Sequence, residues 1–97
     1  MMNAIVIYLR NNAIPKEEAD LLLFLGVNQS PHGDRYEAGF EIILQNFGIT
    51  IEAMDAILQR MEGRGILSLT VQSGEIIEIW WGKTMTRLRD QRAGVVS

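Results

Sequence analysis

"FGITIEAMDAILQRMEGRGIL", residues 47–67, is the stretch from which the fold can be read. Met54, Ile57, Leu58 and Met61 recur at three- and four-residue spacing, which predicts an amphipathic helix with one inward stripe. Thr50 precedes that helix, and its hydroxyl can accept from a first-turn N–H. Gly48 interrupts the apolar pattern on one side, and Gly63 and Gly65 release the chain on the other. The outward face of the same helix carries Glu52 and Asp55.

Upstream, Asp34 is followed three residues later by Glu37, the spacing of a capping box with Asp as the cap. It predicts a helix that places Tyr36, Phe40, Ile43, Leu44 and Phe47 on one side. "VNQSPHGDR", residues 27–35, reads as a loop. "IPKEEADLLLFLG" predicts a helix over 15–25. Pro15 suits the first turn, Glu17 and Glu18 the positive end of the dipole, and Gly26 a left-handed stop. Glu17, Glu18 and Asp20 are read as a solvated face. Leu21 to Leu25 is an unbroken apolar block, so this helix is either sandwiched or offers Leu21 and Phe24 to a partner. In "NAIVIYLRNN", β-branched content favours a strand, whereas Asn3, Asn12 and the spacing of Ile5, Tyr8 and Leu9 favour a short helix. The helix is the preferred reading.

Downstream, "ILSLTVQSGEIIEIWW" predicts a hairpin. A two-residue Ser73-Gly74 loop opposes Leu69 to Glu78. A three-residue loop, Gln72 to Gly74, opposes Leu69 to Ile77 and Leu67 to Ile79, and is preferred because it joins two apolar faces. Trp81 then points inward, and Trp80 outward with Ile66 and Ile76. "GKTMTRLRDQRAGVVS" can hold a short helix with Met85 and Leu88 on one side and Arg87, Arg89 and Arg92 nearby.

The 97 residues suffice for one domain, and 47% hydrophobic with 22% charged residues is a globular composition. There is no Cys, which excludes disulfides and thiolate metal sites. No apolar run is long enough to span a membrane, and the N-terminus lacks the pattern of a signal peptide, so a cytoplasmic protein without membrane contact is expected. The net charge of −3 is uneven: residues 1–59 carry three basic and eight acidic side chains, residues 60–97 six basic and four acidic. An acidic whole is a poor general binder of nucleic acid, because phosphate neutralisation drives that affinity.

Residues 40–59 resemble a helix-turn-helix motif, with Gly48 at the turn and Ile43, Phe47, Ile49, Met54 and Ile57 at its apolar positions. The usual small residue of the first helix is Leu44 here. With "RMEGRGIL" and the hairpin, residues 35–81 resemble a winged helix-turn-helix domain, so the expected class is α+β, mostly helical, with a C-terminal two-stranded wing. The resemblance implies a second helix in the DNA major groove and a wing on the backbone. Its groove-facing positions are Thr50, Ile51, Glu52, Asp55, Ala56 and Gln59. Thr50 and Gln59 are the neutral readers, and Arg60, Arg64 and Lys83 are the candidate phosphate contacts. Glu52 and Asp55 are repelled by phosphate, and the "QSGE" wing tip carries no base.

Two functions follow as expectations. One is a small transcription regulator binding duplex DNA, dimeric through helix 15–25 and the N-terminal segment. The other is a winged-helix module that binds a basic protein surface through Glu52, Asp55, Leu21, Phe24 and Trp80, as a homodimer or within a larger complex. Small acidic virus-encoded inhibitors of a host enzyme or a CRISPR complex are similar in size and charge. The habits of the resembled family put DNA slightly ahead. No nucleophile–base constellation is present, so neither catalysis nor a cofactor is expected. His32, the single His, lacks partners for a metal site and reads as a solvated loop residue. "GKT" at 82–84 ends like a P-loop, but the earlier Gly of that motif is Ile77 here.

Overall fold

The computed structural model describes residues 1–94, with side chains through Gln91. Its elements run α1 (Met2–Asn11), α2 (Lys16–Val27), α3 (Phe40–Phe47), α4 (Ile51–Gly63), β1 (Leu67–Gln72), β2 (Glu75–Trp81) and α5 (Lys83–Gly94). The fold is therefore α+β, and α3, α4 and the antiparallel hairpin follow one another in the layout of a winged helix. Residues 2–11 form the expected helix.

The turn between α3 and α4 is built as its residues dictate. Gly48 adopts φ 63°, and its N–H donates to Leu44 O at 2.8 Å. Thr50 Oγ1 accepts from Ala53 N at 3.1 Å. Met54, Leu58 and Met61 are buried against Ile43, Leu21, Leu22, Leu25, Ile66, Leu67 and Met85. Ile57, expected on the same stripe, is only half-buried.

Helix α2 departs from its expected form at Gly26 and at Glu18, and takes the sandwiched one of its two expected arrangements. It runs through Gly26, and a Cβ there would lie 2.5 Å from Met2 Sδ and 2.6 Å from Ile5 Cδ1. That glycine admits α1 to close packing rather than ending the helix. Leu21 is 1% exposed, and Phe24 sits edge-on to Phe47 with ring centroids 5.6 Å apart. The helix is sandwiched within its own chain, which withdraws Leu21 and Phe24 as partner contacts and the apolar-block argument for a dimer. Glu18 is not solvated but 1% exposed.

Asp34 does not cap a helix; α3 begins six residues later, after Gly39. Residues 34–36 instead lie along β2. Trp81 N donates to Asp34 O and Tyr36 N to Ile79 O, both at 2.8 Å. Two backbone hydrogen bonds and burial of the Tyr36 ring outweigh a cap worth about 1 kcal/mol. The Asp34 carboxylate pairs with Arg89 of α5.

The hairpin turn has two residues, Ser73 (φ 54°) and Gly74 (φ 79°), not three. A bulge restores the apolar register that a plain two-residue loop loses. Thr70 pairs with Glu78 but Val71 with Ile76, so Ile77 is extra, and Leu69 comes opposite Ile79. Ile77 is consequently 51% exposed. Trp81 is buried and Trp80 half-buried, the expected division.

The tail forms α5, with Met85 buried and Leu88 packed on the core; the Arg92 side chain lies outside the described residues. The "GKT" triplet has a backbone role here. A Cβ on Gly82 would lie 2.2 Å from Gly65 O, Gly82 N donates to Ile66 O at 2.8 Å, and Thr84 Oγ1 donates to Arg64 O at 3.1 Å. No described helix is long and apolar enough to cross a membrane.

Candidate functional site

Helix α4 stands as a ridge whose outward residues run from Ile51 to Gln59, with the hairpin tip beside its N-terminal half. Between them lies a cleft of about 380 Å³ with Phe40, Leu44, Ile51 and Ile76 as its apolar lining and Glu41, Glu52, Asp55 and Glu75 as its charged lining. A smaller notch of about 130 Å³ adjoins it, sharing Phe40 and Ile76 and adding Glu37, Glu78 and Arg35. Arg35 is occupied by Glu37 at 3.7 Å and Glu78 at 3.4 Å. The joined surface thus presents six carboxylates and one cation already shared by two of them.

Of the expected DNA-facing residues, Thr50 spends its hydroxyl as acceptor on its own helix, and Gln59 Nε2 donates to Asp55 Oδ2 at 2.9 Å. Arg64 Nη1 donates to Glu18 Oε1 at 2.6 Å. Arg60 lies 3.8 Å from both Glu17 and Glu18. The two arginines at the end of α4 therefore turn toward α2, where two glutamates balance their charge. Glu18 Oε2 is buried without a hydrogen bond among the described residues, with Arg60 3.8 Å away. Lys83 is exposed at the start of α5, and Trp80 is half-buried with its backbone bridged to Arg35.

Of the expected protein-facing residues, Glu52 and Asp55 both line the cleft, while Leu21 and Phe24 belong to the core. Glu41, Glu75, Glu37 and Glu78 were not foreseen as neighbours of Glu52 and Asp55. Glu75 and Glu78 lie twenty or more residues beyond Glu52 and Asp55, and only the tertiary fold sets the hairpin tip beside α3 and α4. Ile51, which lines the cleft, and Ile77, which lines the notch, remain exposed. His32 is an exposed loop residue, and no group of three His, Asp or Glu among the described residues is arranged to hold a metal ion.

No protein-family model, curated protein or solved structure matches the chain.

Proposed function

We propose that this chain is a winged-helix-type protein-interaction module that binds a basic protein surface through α4 and the hairpin tip. The observation carrying the reading is the six-carboxylate surface on the side where a winged helix would meet DNA. A carboxylate 8 Å from a phosphate costs about 0.5 kcal/mol in water before screening. Six such groups facing a run of phosphates oppose binding by a few kcal/mol at low salt. The arginines that would offset this are paired with Glu17 and Glu18. Toward a basic protein the same charges attract, raising association rate and salt dependence.

The helix-turn-helix order of α3 and α4 favours the second reading, a DNA-binding regulator, and one experiment separates the two. The wild type, Glu52→Gln/Asp55→Gln, and Glu17→Gln/Asp20→Asn as a charge-matched control are titrated against polylysine and mixed-sequence duplex DNA at low and moderate salt. Polylysine should bind the wild type and the control more tightly than the cleft variant. Duplex DNA should bind the wild type weakly and the cleft variant better. Tight wild-type binding to DNA with a steep salt slope would overturn the protein-partner reading.

A further inference from the structure

Resting on the interaction reading, the geometry points to a narrower partner: a Lys/Arg-rich protein segment bearing one bulky apolar side chain, which seats in the cleft between α4 and the hairpin tip. A purely cationic ligand satisfies only half of this surface. Ile51, 57% exposed, stands on the same turn of α4 as Glu52 and Asp55, and Ile76 faces it beside Glu75. Phe40 and Leu44 complete the apolar lining from α3 and are themselves packed on the core, so the lining is preformed.

The charge order fits that occupant. Glu41 lies on the α3 side, Glu52 and Asp55 on α4, and Glu75 on the hairpin, so an apolar side chain set into the cleft has carboxylates on every flank for its cationic neighbours. The lip at Gly74 carries no side chain, and a Cβ there would meet nothing within 4 Å, so the chain can pass between hairpin and helix. A nucleic acid supplies no positive charge, and its phosphates are repelled by the carboxylates. An uncharged apolar segment leaves the four cleft carboxylates without counter-charge.

Two synthetic twelve-residue Lys/Arg peptides, identical except for a central Leu or Ala, test the inference by anisotropy titration at low and moderate salt. Burial of the Leu side chain should make that peptide on the order of 10-fold tighter, a margin that persists as salt weakens both. Ile51→Ser should narrow the gap between the peptides, whereas Glu52→Gln/Asp55→Gln should weaken both. Ile51 is exposed, so its replacement leaves the core intact; circular dichroism checks each fold. Equal affinity for the two peptides would overturn the anchored partner while leaving a basic partner standing. Failure of both to bind at low salt would overturn the inference and the reading beneath it. A Leu preference untouched by Ile51→Ser would place the anchor elsewhere and overturn the assignment to this cleft.

Discussion

Replacing Glu18 with Gln tests how the α4 arginines are held. The wild-type carboxylate accepts from Arg64 at 2.6 Å and lies 3.8 Å from Arg60, while itself 1% exposed. A hydrogen bond to a charged group contributes about 1.5–3 kcal/mol. The Arg64 side chain is 44% exposed, so solvent screening puts the loss toward the low end, about 1–2 kcal/mol. For a domain of this size that corresponds to a melting temperature lower by roughly 5–15 °C. Glu18→Leu should lose less, because an apolar group of similar volume leaves no buried polar amide where the carboxylate was. Both variants free Arg60 and Arg64 from Glu18, so both should steepen the salt dependence of duplex DNA binding by about one to two phosphate contacts. Thermal melts followed by circular dichroism, with DNA titrations at four salt concentrations, measure both effects. A Gln variant as stable as wild type, or unchanged salt slopes in both variants, would refute the holding of Arg60 and Arg64 by Glu18.

Gly82→Ala should cost on the order of 3 kcal/mol in denaturant unfolding, because its Cβ would meet the Gly65 backbone rather than a movable side chain. Ile57→Asp should lower stability by about 1–2 kcal/mol without unfolding the domain, since Ile57 is half-buried beside the groove between α2 and α4. Asp55→Lys should remain within about 0.5 kcal/mol by the same assay, as expected of a surface position. Burial raises the Tyr36 phenol above its ordinary 10.0, favouring the neutral form in the fold. Its contribution to stability is complete below the unfolded value and is lost as pH rises through the folded one. Alkaline melts should show this loss in the wild type, and Tyr36→Phe should reduce it.

The α3–turn–α4 unit is legible because Gly48, Thr50 and the Met54–Leu58–Met61 stripe each act locally. Glu18 was legible too, though by a different signal. It precedes Leu21, Leu22 and Leu25 by three, four and seven residues, which puts it on the buried face; reading it as a dipole-favoured acid in the first turn hid that spacing. Segment 34–36 was beyond local reading, since its conformation is chosen by a β2 edge more than forty residues away. The bulge at Ile77 likewise answers the whole sheet, reconciling a turn preference with a core-facing register. Two of the cleft's four carboxylates, Glu52 and Asp55, are visible in α4. Glu41 and Glu75 join it only when the hairpin tip folds beside α3.

Mapping of backbone amide chemical shifts on titration with the Leu-bearing basic peptide, and separately with duplex DNA, tests the interaction surface most directly. With the peptide, shifts confined to residues 40–55 and 73–79 are expected, with DNA causing only weak changes at the same concentration and salt. Strong DNA-induced shifts along 50–60, extending to Arg64 and Lys83, with no response to the peptide in the cleft, would contradict the protein-binding account.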